Sequence, residues 1–229
     1  MNFETWEPTY KAILAEFGFD RAKDEESAKL LARLTSRPPY DPVRAWRCLL
    51  AHFAARPTIV LGAADDAAKR LVEAPAASRL VVADGATTAA LEAGRRPDLI
   101  VTDLDGNVDD EIKAVRQGAY VAIHGHGDNM PAVANWLPKF DPTRVFGTCQ
   151  SEPVGSLQNV GGFTDGDRAC HIAHELGASD LLLVGFAFEG PAGKYSGTYD
   201  PKTKQRKLAW SKHLIGELGQ RDGAKIRFA

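Results

Sequence analysis

Two aspartates one residue apart, Asp103 and Asp105, stand in the run Thr102-Asp103-Leu104-Asp105-Gly106-Asn107. Carboxylates at i and i+2 converge on one cation if the backbone leaves a strand between them. Mg²⁺ suits such carboxylates when substrate phosphates complete its shell. Left unpaired at a buried strand end they would be costly, so metal binding is favoured here over a solvated turn. Four further segments carry comparable chemistry. Leu61-Gly62-Ala63-Ala64-Asp65 offers a glycine that permits close backbone approach to a ligand, or a plain turn. Ala83-Asp84-Gly85-Ala86-Thr87 places Asp84 where it caps a helix or meets a metal or ribose. His124-Gly125-His126-Gly127-Asp128-Asn129 supplies imidazoles, a carboxylate and an amide for a polar substrate ring. Its His-x-His also suggests zinc, but no Cys or third His lies at helpful spacing. In Gly161-Gly162-Phe163-Thr164-Asp165-Gly166-Asp167-Arg168, a double glycine leads into a helix start flanked by Thr164 and Arg168, a phosphate cradle. Asp165 there either reaches a metal or caps the helix.

A glycine-rich stretch from Phe186 to Gly197 reads as a cover over an anion, with Lys194 its best phosphate ligand. The basic residues after it, Lys202, Lys204, Arg206, Lys207 and Lys212, read as a solvated helix face. Neither a complete GxGxxG nor a GxxxxGK[ST] is present, which excludes a Walker-type phosphate loop.

These segments must be positioned by regular elements. Before Arg56 the patterns are helical: Trp6, Tyr10, Ile13, Leu14 and Phe17 recur at helical spacing, followed by patterns over 25–35 and 43–55. From Arg56, β-rich runs at 58–62, 79–83, 99–102, 120–124, 144–148 and 181–186 alternate with helix-length segments, ending in one near 203–219. Strands apolar on both faces predict an α/β fold, a Rossmann-like, mostly parallel sheet covered by helices. The expected organisation is a small helical N-terminal domain, 1–55, and an α/β catalytic domain, 56–229. Such sheets bind ligands at the carboxyl ends of their strands, where every segment above lies.

Composition bounds the function. With 229 residues, 44% hydrophobic and 25% charged, and 30 Asp+Glu against 28 Lys+Arg, the chain is neither disordered nor a general basic nucleic-acid binder. No apolar run approaches a membrane span, and the N-terminus lacks an apolar signal region, so a cytoplasmic protein is expected. Cys48, Cys149 and Cys170 form neither a disulfide framework nor a CxxC site. The near-zero charge is unevenly spread. Residues 84–167 hold 13 acidic and 6 basic residues, whereas 168–229 hold 10 basic and 6 acidic.

In order, Asp-Gly-Ala at 84–86, Pro-Asp-Leu-Ile-Val-Thr-Asp-Leu-Asp-Gly at 97–106, His-Gly-His-Gly-Asp-Asn at 124–129 and Gly-Gly-Phe-Thr-Asp-Gly-Asp-Arg-Ala at 161–169 resemble the archaeal-type 6-hydroxymethyl-7,8-dihydropterin pyrophosphokinases. The resemblance covers roughly 56–215, and that family is similar to the catalytic domain of thiamine pyrophosphokinases. It implies Mg²⁺ on Asp84, Asp103, Asp105 and Asp165, and a nucleotide at Gly62, Asp84, Gly85, Ala86, Thr164, Asp165 and Arg168. It further implies a pterin near His126, Asp128, Asn129 and Phe163, with Phe163 or Trp136 stacking on it. Asp103, Asp105, Arg168 and Lys194 would act in catalysis, with Asp105 or Asp128 accepting the acceptor's proton. ATP would be the co-substrate and a reduced pterin the acceptor, on the route to folate or methanopterin; a homodimer is compatible with this. The C-terminal β-domain of thiamine pyrophosphokinases is missing, which favours a pterin over thiamine. The principal rival is a haloacid-dehalogenase-like phosphatase with Asp103 as nucleophile, although two strands precede that motif here and its later partner motifs are not found.

Overall fold

The structure, a computed structural model, describes residues 3–189, 193–195, 200–221 and 223–229. Three helices come first: α1 (Phe3–Phe17), α2 (Arg21–Thr35) and α3 (Pro42–Phe53). Asp20 caps α2 by accepting from the Ala22 N–H, and Asp41 caps α3 by accepting from the Arg44 N–H. Then come β1 (Pro57–Leu61), α4 (Ala67–Glu73), β2 (Arg79–Ala83), α5 (Ala86–Glu92), β3 (Leu99–Thr102), α6 (Val108–Arg116), β4 (Tyr120–Gly125) and α7 (Met130–Trp136). The chain closes with β5 (Val145–Cys149), α8 (Asp165–Glu175), β6 (Asp180–Val184), α9 (Pro201–Arg221) and β7 (Ile226–Phe228).

Among the described residues seven strands pair in parallel, in the order β5-β4-β3-β2-β1-β6-β7. The interior strands are buried on both faces, which explains their uninterrupted Val, Ile and Leu content. The expected α/β Rossmann-like sheet is thus present, with one strand more than the sequence pattern indicates. β7 has three residues with Arg227 at its centre, too short and polar to announce itself. The direction of strand addition reverses between β1 and β6. Such a switch point opens a crevice at the strands' carboxyl ends.

Helices α2, α4, α5, α6 and α7 cover one face, where Ala28, Leu31, Leu71, Ala89, Ile112 and Val133 meet strand residues such as Ile59 and Val82. Helices α3, α8 and α9 cover the other, with Leu49, Phe53, Ile172 and Leu218 against Val60 and Val101. Ahead of β1 the described residues form α1, α2 and α3, and α2 and α3 have their apolar stripes inside the two sheet cores. Only α1 keeps a small cluster of its own, Trp6, Tyr10 and Ile13, closed by Leu214 of α9. Among the described residues no helix is long and apolar enough to cross a membrane.

Candidate active site

The carboxyl ends of β2 and β3 build the centre of the site. Asp84 follows β2 directly and holds a left-handed φ of +43°, a conformation uncommon outside glycine. Its Oδ1 accepts a 2.8 Å hydrogen bond from Thr102 Oγ1 on β3. Gly106 lies against the same carboxylate so closely that a Cβ there would sit 2.3 Å from Asp84 Oδ2. The glycine after the Asp-x-Asp pair is therefore needed for approach. Asp103 Oδ2 accepts from His126 Nε2 at 3.0 Å, and Oδ1 from the Asp105 N–H at 3.2 Å. Oxygens of Asp84, Asp103 and Asp105 all fall within 4.8 Å of one another.

Asp165, the first residue of α8, faces this trio, and its carboxyl is pushed well up by burial and by Asp103, Asp84 and Asp105. Burial and the same neighbours raise Asp84 to about 7. Burial acts on Asp103 too, but the hydrogen bond and charge of His126 outweigh it and hold that carboxyl below the usual range. A fifth acid, Glu111 of α6, is fully buried, neither oxygen has a hydrogen-bond partner within normal geometry among the described residues, and burial with Asp84 raises it strongly. Clustered carboxyls that resist ionisation lack a positive charge, which is what a divalent cation bound by oxygen ligands supplies. Asp84, Asp103 and Asp105 fit such an ion, with Asp165 beside them.

Two cavities meet at this cluster. The first opens at the β1/β6 switch point and is lined by Gly62, Ala64, Asp84, Gly85, Asp105 and Gly166, among others. Gly62 answers both alternatives for its segment: it lines this cavity, and a Cβ there would lie 2.6 Å from the Gly185 carbonyl oxygen. Tyr195 crosses above Gly85, where a Cβ would clash with its carbonyl. The second cavity, about 370 Å³, lies beyond the ends of β3, β4 and β5. Its walls include Phe19, Asp24, His124, His126, Asp128, Gln150 and Phe163. His124 is neutral, because burial drives its pKa far down; Nδ1 contacts Thr148 Oγ1 and Nε2 has no hydrogen-bond partner among the described residues. Thr164, Asp165, Lys204 and Leu208 line both cavities.

Most residues singled out in the sequence converge here: Gly62, Asp84, Gly85, Asp103, Asp105, His126, Asp128, Phe163, Thr164 and Asp165. Five expectations need correction. Arg168 has no exposed surface and lines neither cavity; its guanidinium points at the Gly161 and Phe163 carbonyls, 3.4 Å away, so it cannot touch a phosphate directly. Its charge offsets the nearby Asp167 and Asp165. Lys194 is exposed, 3.9 Å from Glu92 and over the Tyr195 ring, outside both cavities. Much of its glycine-rich loop, 190–192 and 196–199, lies outside the described residues. Ala86, the first residue of α5, has its side chain buried in the core and lines neither cavity. Trp136 packs on that core with Lys139 over its ring.

Asn129 is the fifth. Its Oδ1 accepts from Ser27 Oγ and the His126 N–H, and its Nδ2 donates to the His124 and Asp103 carbonyls. Every polar valence is spent on tying the loop after β4 to α2 and to Asp103. Asn129→Ala strands several of these partners, so the melting temperature should fall by roughly 5–10 °C. An unchanged thermal melt would rule out the clamp.

Sequence reasoning missed Asp24, Gln150 and Glu111, and it left Lys204, which lines both cavities, on a solvated helix face. Two left a usable trace. Asp24 lies on the stripe of Ala28 and Leu31, and Glu111 lies among Val108, Ile112 and Val115, each an acid on the apolar side of its helix.

Fold and site together define a Rossmann-like α/β protein whose two ligand clefts converge on an acidic, cation-suited centre. The sequence model of the 6-hydroxymethylpterin diphosphokinase MptE-like family matches residues 47–190, and the chain belongs to that family. It is 40% identical to a 6-hydroxymethyl-7,8-dihydropterin pyrophosphokinase of Methanothermobacter thermautotrophicus, covering 99% of both chains. Proteins of the same name from Pyrococcus furiosus (36%, covering 99% of this chain and 98% of that one) and Methanocaldococcus jannaschii (33%, 100% and 99%) are also similar. Membership in this family sets the dehalogenase-like alternative aside.

Proposed function

We propose that this protein transfers the terminal diphosphate of ATP to the hydroxymethyl oxygen of 6-hydroxymethyl-7,8-dihydropterin, giving AMP and the pterin diphosphate. The observation that carries the proposal is the meeting of two cavities at one carboxylate cluster. A donor and an acceptor bound on either side bring their reacting atoms together there, and phosphoryl-transfer chemistry asks chiefly for such positioning and charge neutralisation. The switch-point cavity suits the nucleotide, with the backbone of 62–64 and the start of α8 beside its phosphates. The second cavity suits a flat heterocycle. Phe19 and Phe163 give it apolar surface, while His126, Gln150 and Asp128 give polar groups for a donor/acceptor edge.

Mg²⁺ on Asp84, Asp103 and Asp105 would supply the charge that neutralises the phosphates. The chain's own groups hold the arrangement ready. Thr102 orients Asp84, His126 holds Asp103 ionised, and buried Arg168 offsets charge behind Asp165. The acceptor oxygen attacks the β-phosphorus, AMP departs with the bridging oxygen, and the hydroxyl proton passes through Asp128, exposed at the cavity wall, to water. Incubation with ATP, Mg²⁺ and the reduced pterin should release AMP in step with pterin diphosphate, resolved by chromatography. ADP or free phosphate as the sole product, or ATP consumption that ignores the acceptor, would contradict the proposal.

A further inference from the structure

We infer that Lys204 is a catalytic residue whose ammonium group contacts the diphosphate as it passes from nucleotide to acceptor. The inference rests on the transfer reaction proposed above and assigns that reaction's cation to a residue which sequence patterning leaves on a solvated face. Of the four residues lining both cavities, Lys204 alone carries positive charge. Leu208 is apolar, Asp165 is acidic, and the Thr164 hydroxyl donates to Asp167 at 2.7 Å. Lys204 sits in the first turn of α9, half-buried. That turn is fixed by Asp200, whose carboxylate accepts from the Thr203 N–H and whose carbonyl accepts from the Lys204 N–H, both at 2.9 Å. Asp84, Asp105 and Asp165 line the first cavity together with Lys204, and their charges act on its ammonium.

The other cations nearby are placed elsewhere. Lys194 lies toward Glu92, and Arg168 is sealed beneath the floor. Lys207, one turn further along α9, lines only the acceptor cavity and lies 5.8 Å from the Phe163 ring centre. A diphosphate in transit between the cavities would have on one side the acidic side chains that would hold a cation, and Lys204 on the other. In the transfer step a bond forms between the acceptor oxygen and the β-phosphorus. The bond from that phosphorus to the oxygen it shares with the α-phosphorus breaks, and the electron pair leaves with AMP. The hydroxyl proton goes to the cavity wall and water. Lys204 keeps its own protons throughout and stabilises charge on the non-bridging oxygens, which is greatest in transit.

The test compares full-length wild type with Lys204→Met, Lys204→Arg and, as a control on the same helix, Lys202→Met, whose lysine is exposed and lines neither cavity. Steady-state formation of AMP and pterin diphosphate gives kcat and both KM values, and Lys204→Ala is assayed with and without ethylamine. Lys204→Met should lose about 10²–10³-fold in kcat, with the pterin KM changed less than about threefold. Lys204→Arg should recover part of the rate, ethylamine should rescue Lys204→Ala, and Lys202→Met should match wild type. A kcat for Lys204→Met within about threefold of wild type overturns the assignment. Should Lys204→Met fail to fold, absence of amine rescue in a folded Lys204→Ala overturns it equally. Wild type that makes no pterin diphosphate sinks the transfer reaction as well, which separates the two failures.

Discussion

Asp84→Asn is expected to cut diphosphate transfer by about 10³-fold while raising the melting temperature of the metal-free protein. Both effects trace to one carboxylate, held beside Asp103 and Asp105 by Thr102 and at a left-handed backbone position that asparagine tolerates well. The amide oxygen still accepts from Thr102, so the local geometry survives. What disappears is a negative charge that burial, Asp103 and Asp105 all oppose. Folding moves this group's pKa from the ordinary aspartate range to about 7, so the folded protein binds its proton more tightly than the unfolded chain. Its contribution is therefore fully favourable below about pH 4 and is lost as pH rises through about 7. Three or so units correspond to roughly 2–4 kcal/mol at neutral pH once relaxation of the neighbouring acids is allowed for.

Thermal melts at pH 5 and 7.5, with and without Mg²⁺, check this. Wild type should gain more from Mg²⁺ at pH 7.5 than at pH 5, and Asp84→Asn should gain little at either. A metal-free variant that melts below wild type at pH 7.5, or one that retains near-normal transfer, would refute the account.

The second large effect is expected at Asp24, far from the acidic centre in sequence. Its carboxylate accepts from Tyr10 Oη at 2.7 Å, Gln150 Nε2 at 2.8 Å and the Gly127 N–H at 2.6 Å. Tyr10 stays protonated to make its bond, since burial and Asp24 both push its pKa upward. Asp24→Ala would leave three donors without their acceptor in an interior site. The expected cost is about 3–5 kcal/mol, or roughly 10 °C in melting temperature. The pterin KM should rise at least tenfold by comparison with the ATP KM, because Asp24, Gln150 and Gly127 all border the acceptor cavity and none borders the other. Asp24→Asn, which keeps volume and one acceptor oxygen, should fall between. Equal changes in both KM values, or a wild-type melt for Asp24→Ala, would dissolve the assignment.

The acidic centre was legible because parallel strands announce themselves as apolar runs, and the residue after each run must lie at one edge of the sheet. That geometry puts Asp84, Asp103 and Asp105 at one edge, and the family resemblance is what selects a metal over a helix cap at Asp84. Legibility ends where a side chain's direction matters more than its place. Arg168 and Lys204 are each cations near a helix start, yet one points into the core and the other across the junction. Nothing in their neighbouring residue types separates them. The N-terminal helices were legible as helices but not as walls of the site, because their contacts with Gln150 and Gly127 span more than a hundred positions of sequence. Periodicity carries no information across such a distance.

The three hydrogen bonds on Asp24 also have a meaning for descent. Gly18, Phe19, Lys23 and Asp24 line the second cavity, while the ends of β1 and β2 line the first, and the carboxylate of Asp24 is the rivet that fixes α2 to the loops after β4 and β5. Mutational drift in the first 35 residues can thus alter which small molecule is received, leaving the machinery of transfer untouched. Drift at the carboxylates after β2 and β3 alters whether anything is passed on at all. Selection can act on the two traits separately for as long as the rivet holds.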